Sequence, residues 1–262
     1  MTRLIATLLV SVMLILAPSR PAPSPKPIAK TALQAAGLLY ASKDTEKHYL
    51  CSTFTFEHDG NKYEIGTASH CVSDPDLPEG LKFSVMFDEV SKKEYPAKVI
   101  AVGGIDSDVG DVAVLEIETT DVLPVIPLST ETIDYGDRVL YVGGAVALGK
   151  QLYFGNISEP KVDIPKMEGG QGAPKGWNNT FLLSVAGGPG ASGSGIISAK
   201  TGKIVGILVG HPPEGRGVAI AVRLEQLQVL LYNCQKRQTV PGGVCNIKPY
   251  TQPRLDFGPV KW

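Results

Sequence analysis

The chain opens on an uncharged apolar run, Leu4 to Ala17, entered through Met1, Thr2 and Arg3. This run of fourteen residues is shorter than the roughly 20 that a helix needs to cross a bilayer. It has the layout of a secretory signal peptide over residues 1–19, with cleavage expected after Ser19, behind the small residues Ala17 and Ser19. An uncleaved N-terminal membrane anchor is the alternative, with Arg3 as its positive flank. Export to a periplasmic or extracellular site follows from the first reading, and no stable membrane span remains once the peptide is removed.

Pro18 to Pro27 predicts a stiff, extended linker. Ile28 to Ser42, rich in Ala and Leu, predicts a short helix ending before the polar run Lys43 to Lys47; linker and helix occupy residues 20–47. From His48 the pattern becomes that of strands: His48–Phe56, Tyr63–Thr67, Leu81–Asp88, Tyr95–Val102 and Asp111–Glu118, with Asp59-Gly60 marking a hairpin between the first two. A Pro-containing crossing at Leu123–Thr132 leads to a second series: Arg138–Gly143, Leu152–Ser158, Phe181–Val185, Gly195–Ser198, Ile204–Val209 and Gly217–Val222. Glu168–Asn178 is too rich in Gly for a strand and predicts a mobile loop. Leu224–Tyr232 predicts a closing helix, and residues 234–262 form a tail too short for a further domain. Two groups of short strands without long helices between them describe a mostly β fold of two small antiparallel barrels, residues 48–128 and 129–233.

Composition narrows the picture. With 43% hydrophobic residues the chain can bury a sizeable core, and 29 Gly with 20 Pro suit short strands joined by tight turns. The formal net charge of -1 offers no broad phosphate-binding surface, so nucleic acid is not an expected partner. The four cysteines fall into two local pairs, Cys51 with Cys71 and Cys234 with Cys245. Neither pair has the spacing of a zinc or redox site, and in an exported chain both read as structural disulfides, with reduced buried thiols as the alternative.

Three segments carry candidate chemistry. Thr67-Ala68-Ser69-His70-Cys71 ends a predicted strand with a His that a Cys51–Cys71 bond would tie down, the rigid support a general base needs. Asp106 to Leu115 runs an acidic loop into an apolar strand; Asp111, at the strand's start, is placed for its carboxylate to orient a His ring, with Asp108 as runner-up. The loop superficially resembles a calcium loop, but that reading is disfavoured, because Asp111 and Ile117 stand where the required Gly and Glu would be. Gly187 to Gly195 surrounds Ser192 with glycines before an apolar strand, so the backbone can turn sharply and direct N–H groups at an oxyanion. Ser194 is the alternative nucleophile.

The order His, Asp, Ser is that of chymotrypsin. With Thr67–Cys71, Asp111-Val-Ala-Val-Leu115 and Gly190-Ala-Ser-Gly193, the chain resembles the trypsin-like serine proteases. Gly136–Val139, Gly143-Gly144 through Gly155–Ser158, Gly202–Ile207 and Gly217–Ala221 resemble the high-temperature-requirement branch of that family, without its C-terminal peptide-binding domain. The resemblance covers about Leu50 to Leu231. It implies two six-stranded Greek-key barrels with the active site between them, and a serine endopeptidase acting on protein or peptide substrates without metal or cofactor. It implies a triad of His70, Asp111 and Ser192, with an oxyanion hole at the N–H groups of Gly190 and Ser192. Ala191 stands where pancreatic-type members carry the Asp that pairs with a freshly cut N-terminus, so that activation is absent.

The resemblance also places a substrate pocket at Ala186, Val209, Gly210, His211 and Gly217. None of these is acidic, which disfavours cleavage after Lys or Arg and favours small or medium apolar residues. A protonated His211 accepting Glu is the runner-up. A catalytically inactive protease-fold binding protein is the alternative function, and an esterase of the strand-helix type lacks the required alternation.

Overall fold

The structure is a computed structural model that describes residues 26–74, 76–104, 109–145, 149–164, 173–212, 217–237 and 245–246. The signal-peptide segment and its cleavage point lie outside the described residues, as does most of the Pro-rich linker. No helix among the described residues is long and apolar enough to cross a membrane.

Six strands form the first barrel: β1 (Ala36–Lys43), β2 (Glu46–Asp59), β3 (Lys62–Thr67), β4 (Lys82–Met86), β5 (Glu94–Gly104) and β6 (Gly110–Glu118). They run in the order β5-β4-β1-β2-β3-β6, and β6 pairs back onto β5 to close the ring. The predicted hairpin at Asp59-Gly60 is present, with Asp59 opposite Lys62 across a two-residue turn. The second barrel contains β7 (Arg138–Gly143), β8 (Gln151–Val162), β9 (Thr180–Ser184), β10 (Gly195–Ser198), β11 (Ile204–Gly210) and β12 (Val218–Arg223), closed in the order β10-β11-β12-β9-β8-β7. A short β13 (Cys245–Asn246) lies parallel to β5. The mostly β architecture of two closed six-stranded antiparallel barrels matches the expectation.

The expected helix from Ile28 to Ser42 is corrected. Helix α1 (Lys26–Ala35) takes its first part, and the remainder is β1. Tertiary pairing overrides local propensity here: β1 has β2 on one side and β4 on the other, and residues 36–39 are all buried. Satisfying every backbone group of a central strand outweighs the few tenths of a kcal/mol per residue that favour helix.

One apolar cluster joins Phe54, Ile65, Phe87 and Leu115 of the first barrel to Ile207, Val209 and Ile220 of the second and to α3 (Leu224–Arg237) through Leu224, Leu227 and Leu230. A second cluster, with Tyr141, Phe181, Leu183, Ile196 and Leu208, fills the second barrel. Each such side chain removed from water contributes roughly 1.5–3 kcal/mol. Helix α1 spans both halves: Thr55 Oγ1 donates to Ala35 O at 3.3 Å. Lys150, before β8, has a side chain only 2% exposed; its Nζ donates to Leu33 O at 2.7 Å and Ala36 O at 3.0 Å and pairs with Asp88 Oδ1 at 2.6 Å.

Candidate active site

His70 opens α2 (His70–Ser73), a single helical turn following β3. The next residue, Cys71, is disulfide-bonded to Cys51 of β2, so the turn is covalently fastened to the barrel wall. Cys234 is also disulfide-bonded; its expected pairing with Cys245 falls on a side chain outside the described residues. Among the described residues, the cluster with metal-ligand spacing is Cys51, His70 and Cys71, and the disulfide takes both sulfurs away from any ion.

Asp111 is the second residue of β6 and is fully buried. Its carboxylate accepts from four donors. Oδ1 takes Ser69 Oγ at 2.8 Å and the His70 backbone N–H at 3.0 Å, while Oδ2 takes His70 Nδ1 at 2.7 Å and Trp177 Nε1 at 3.3 Å. Burial drives the Asp111 pKa up, but the His70 charge, the hydrogen bonds from His70 and that of Ser69 more than reverse it, and the carboxyl sits below its ordinary range. For His70, burial pulls the pKa down, but the charge and hydrogen bond of Asp111 and the charge of Asp74 carry it above its ordinary value. With Oδ2 ionised, Nδ1 is the donor, which leaves Nε2 as the basic nitrogen. Asp108, the runner-up, lies outside the described residues.

The serine loop is a built turn. Ala191 N donates to Gly188 O at 3.0 Å, with Pro189 and Gly190 at the corner and Gly190 at φ +90, the signature of a type II turn. Ser192 O accepts from Ser52 N at 2.8 Å, and Ser192 Oγ donates to Val209 O at 3.4 Å. Gly193 fits against both β2 and the end of β3: a Cβ there would lie 2.2 Å from both Ser52 O and Thr67 Oγ1. Ser192 is half-buried, whereas Ser194 is fully buried with its hydroxyl donated to Ala191 O at 2.7 Å.

Of the expected pocket residues, Val209 and Gly210 are buried, and Ala186, His211 and Gly217 are exposed. Tyr141 donates its hydroxyl to Ala186 O at 2.5 Å, and His211 Nδ1 lies 3.2 Å from the oxygen of its neighbour Pro212.

The loop predicted mobile from Glu168 to Asn178 is corrected at its end: Lys175–Trp177 forms a 3-10 turn and Trp177 is 5% exposed. Residues 168–172 lie outside the described residues. The sequence reading missed Trp177 because its neighbourhood is rich in Gly; a lone Trp in such a segment, needing both an apolar seat and a partner for its N–H, was the available signal. It also missed Ser69, whose place before a His reads as an ordinary helix cap.

Residues 51–207 match the model of the trypsin-like peptidase domain. The fold is similar to the serine endoprotease from Yersinia pestis, with a TM-score of 0.63 and 20% identity over 82% of this chain and 68% of that one. It is also similar to the HtrA-type protease AlgW with tripeptide, with a TM-score of 0.62 and 22% identity over 82% of this chain and 63% of that one. No curated protein matches the chain.

Proposed function

The chain belongs to the trypsin-like peptidase family and is a serine endopeptidase, and from that premise we propose that it is exported and cuts peptide bonds with a triad of His70, Asp111 and Ser192. The observation that carries this reading is the buried Asp111 carboxylate accepting from His70 Nδ1 at 2.7 Å, which leaves the other ring nitrogen as the base.

In the acylation step Ser192 Oγ attacks the peptide carbonyl carbon while His70 Nε2 takes the hydroxyl proton. The tetrahedral oxyanion is held by the N–H groups of Gly190 and Ser192. As the C–N bond breaks, His70 returns the proton to the leaving amine, and the acyl group stays on Ser192. Water, deprotonated by the same nitrogen, then releases the acid and restores the serine. Asp111 remains ionised and stabilises the imidazolium formed in both halves.

The pocket expected at Ala186, Val209, Gly210, His211 and Gly217 has no carboxylate among these five residues, which supports cleavage after small or medium apolar residues. Export agrees with the Cys51–Cys71 disulfide, since such bonds persist in oxidising compartments.

Fluorophosphonate labelling of the mature chain beside Ser192→Ala tests the mechanism. Labelling at Ser192 and hydrolysis of casein, both lost in Ser192→Ala with a kcat fall of about 10⁶, is the expected result. Labelling that persists in Ser192→Ala and disappears in Ser194→Ala would move the nucleophile, and a folded chain that neither labels nor hydrolyses would be a binding protein.

A further inference from the structure

Ala191, immediately before the nucleophile, is fully buried and carries no charge, so no ion pair at that position anchors the serine loop. Hydroxyls hold it instead. Gly190 O accepts from Tyr49 OH at 2.5 Å and from Ser52 Oγ at 2.8 Å, and Ser52 Oγ accepts in turn from Gly144 N at 2.9 Å. Ala191 O accepts from Ser194 Oγ at 2.7 Å and from Ser194 N at 3.2 Å. Both peptide planes flanking Ala191 are therefore fastened at their carbonyl ends.

A trans peptide directs its N–H opposite to its C=O. Ser192 N–H shares a plane with Ala191 O, so the grip of Ser194 on that oxygen fixes where the N–H points. On the other side, Ala191 N is bonded to Gly188 O. Turning the Gly190–Ala191 plane over would break that bond together with those from Tyr49 and Ser52. Sterics add to this: a Cβ on Gly190 would sit 2.6 Å from Tyr49 Cε1 and 2.8 Å from Gly144 O, so the aromatic ring braces the corner of the turn.

We propose that Tyr49, Ser52 and Ser194 are positioning residues that form a hydroxyl cradle, fixing the carbonyls of Gly190 and Ala191 so that the oxyanion hole exists without a newly cut N-terminus. The cradle rests on the triad reading given above. Tyr49 and Ser52 both belong to β2, so the first barrel sets the geometry of a hole built from the second. Burial pushes the Tyr49 pKa up to about 12, so the hydroxyl remains a donor across the neutral range.

The test uses the full mature chain and four variants: Tyr49→Phe, Ser52→Ala, Ser194→Ala and the Tyr49→Phe/Ser52→Ala pair. For each, kcat and KM are measured on one peptide, together with the inhibition constant of a peptide aldehyde of the same sequence, whose serine adduct places an oxyanion in the hole. Each single variant should lower kcat about tenfold and the pair about a hundredfold, with KM little changed and aldehyde affinity weakened by the same factors. Tyr49→Phe removes one oxygen and keeps the ring, so it carries the test if the double variant does not fold. Wild-type aldehyde affinity in both Tyr49→Phe and Ser194→Ala, with Ser192 still labelled by fluorophosphonate, overturns the cradle and leaves the triad standing. Failure of the wild-type chain itself to label at Ser192 overturns the triad reading, and the cradle with it.

Discussion

The indole Nε1 of Trp177 lies 3.3 Å from Oδ2 of Asp111, so a connection of the second barrel donates a hydrogen bond to the carboxylate that orients the first barrel's histidine. The indole has room because residue 210 is Gly: a Cβ there would meet Trp177 Cη2 at 2.7 Å. Gln226 of α3 supports the same turn, its Nε2 donating to Gly176 O at 3.1 Å.

Trp177→Phe, which deletes the N–H, and Gly210→Ala, which displaces the ring, should therefore produce the same defect. A lost hydrogen bond to an ionised group corresponds to about a tenfold fall in kcat. Steady-state kinetics on one peptide substrate checks this. A fall in Trp177→Phe with none in a folded Gly210→Ala would show that the indole tolerates displacement.

The pH profile has a definite sign. In the proposed mechanism His70 must be neutral to accept the serine proton, and although burial opposes it, Asp111 and Asp74 raise its pKa above the ordinary 6.5. A raised pKa keeps the ring protonated to higher pH, so the acid limb of kcat/KM should lie above that value. Asp111→Asn removes the main raising influence and leaves burial, so the limb should move to lower pH while kcat falls by about 10⁴. A limb that stays in place in Asp111→Asn would mean that another group titrates there.

The Cys51–Cys71 bond closes a sequence separation of 20 and should stabilise the fold by roughly 3 kcal/mol in the loop-entropy account. Replacing both cysteines by Ala should lower the thermal midpoint measured by calorimetry. Because Cys71 follows His70 directly, kcat should fall further than the remaining folded fraction explains. Non-reducing peptide mapping that recovers both thiols free would remove the premise.

Specificity is checked by kcat/KM for peptides that differ only in the residue before the cut. Leu or Val should exceed Arg, because the five residues of the proposed pocket offer a guanidinium no carboxylate, and an unpaired buried charge costs several kcal/mol. Faster cleavage after Arg would defeat the pocket assignment. A preference for Glu that strengthens at acidic pH and disappears in His211→Ala would transfer specificity to that exposed ring.

Much of this molecule was legible because its strands are short, apolar and punctuated by turns. Arg138–Gly143 and Gly195–Ser198 occupy the predicted residues, and Asp111 stands at the head of β6 as expected. Ala36–Lys43 was not legible, since the composition of Ala-Gly-Leu-Leu-Tyr-Ala reports local propensity and the strand owes its existence to β2 and β4, which are distant in sequence. The same limit explains Trp177, Tyr49 and Ser52. Their partners lie 66, 141 and 138 residues away, and no local motif encodes a contact of that reach.

Lys150 ties the two halves of the molecule together. Its ammonium is enclosed among Leu33 O, Ala36 O and Asp88, in contact with the N-terminal helix and the opposite barrel at once. Separating the two halves would part that ammonium from all three oxygens at once, and breaking an enclosed pair in this way is costly. One side chain thus acts as a rivet, holding the start of β8 to the N-terminal helix and to the first barrel.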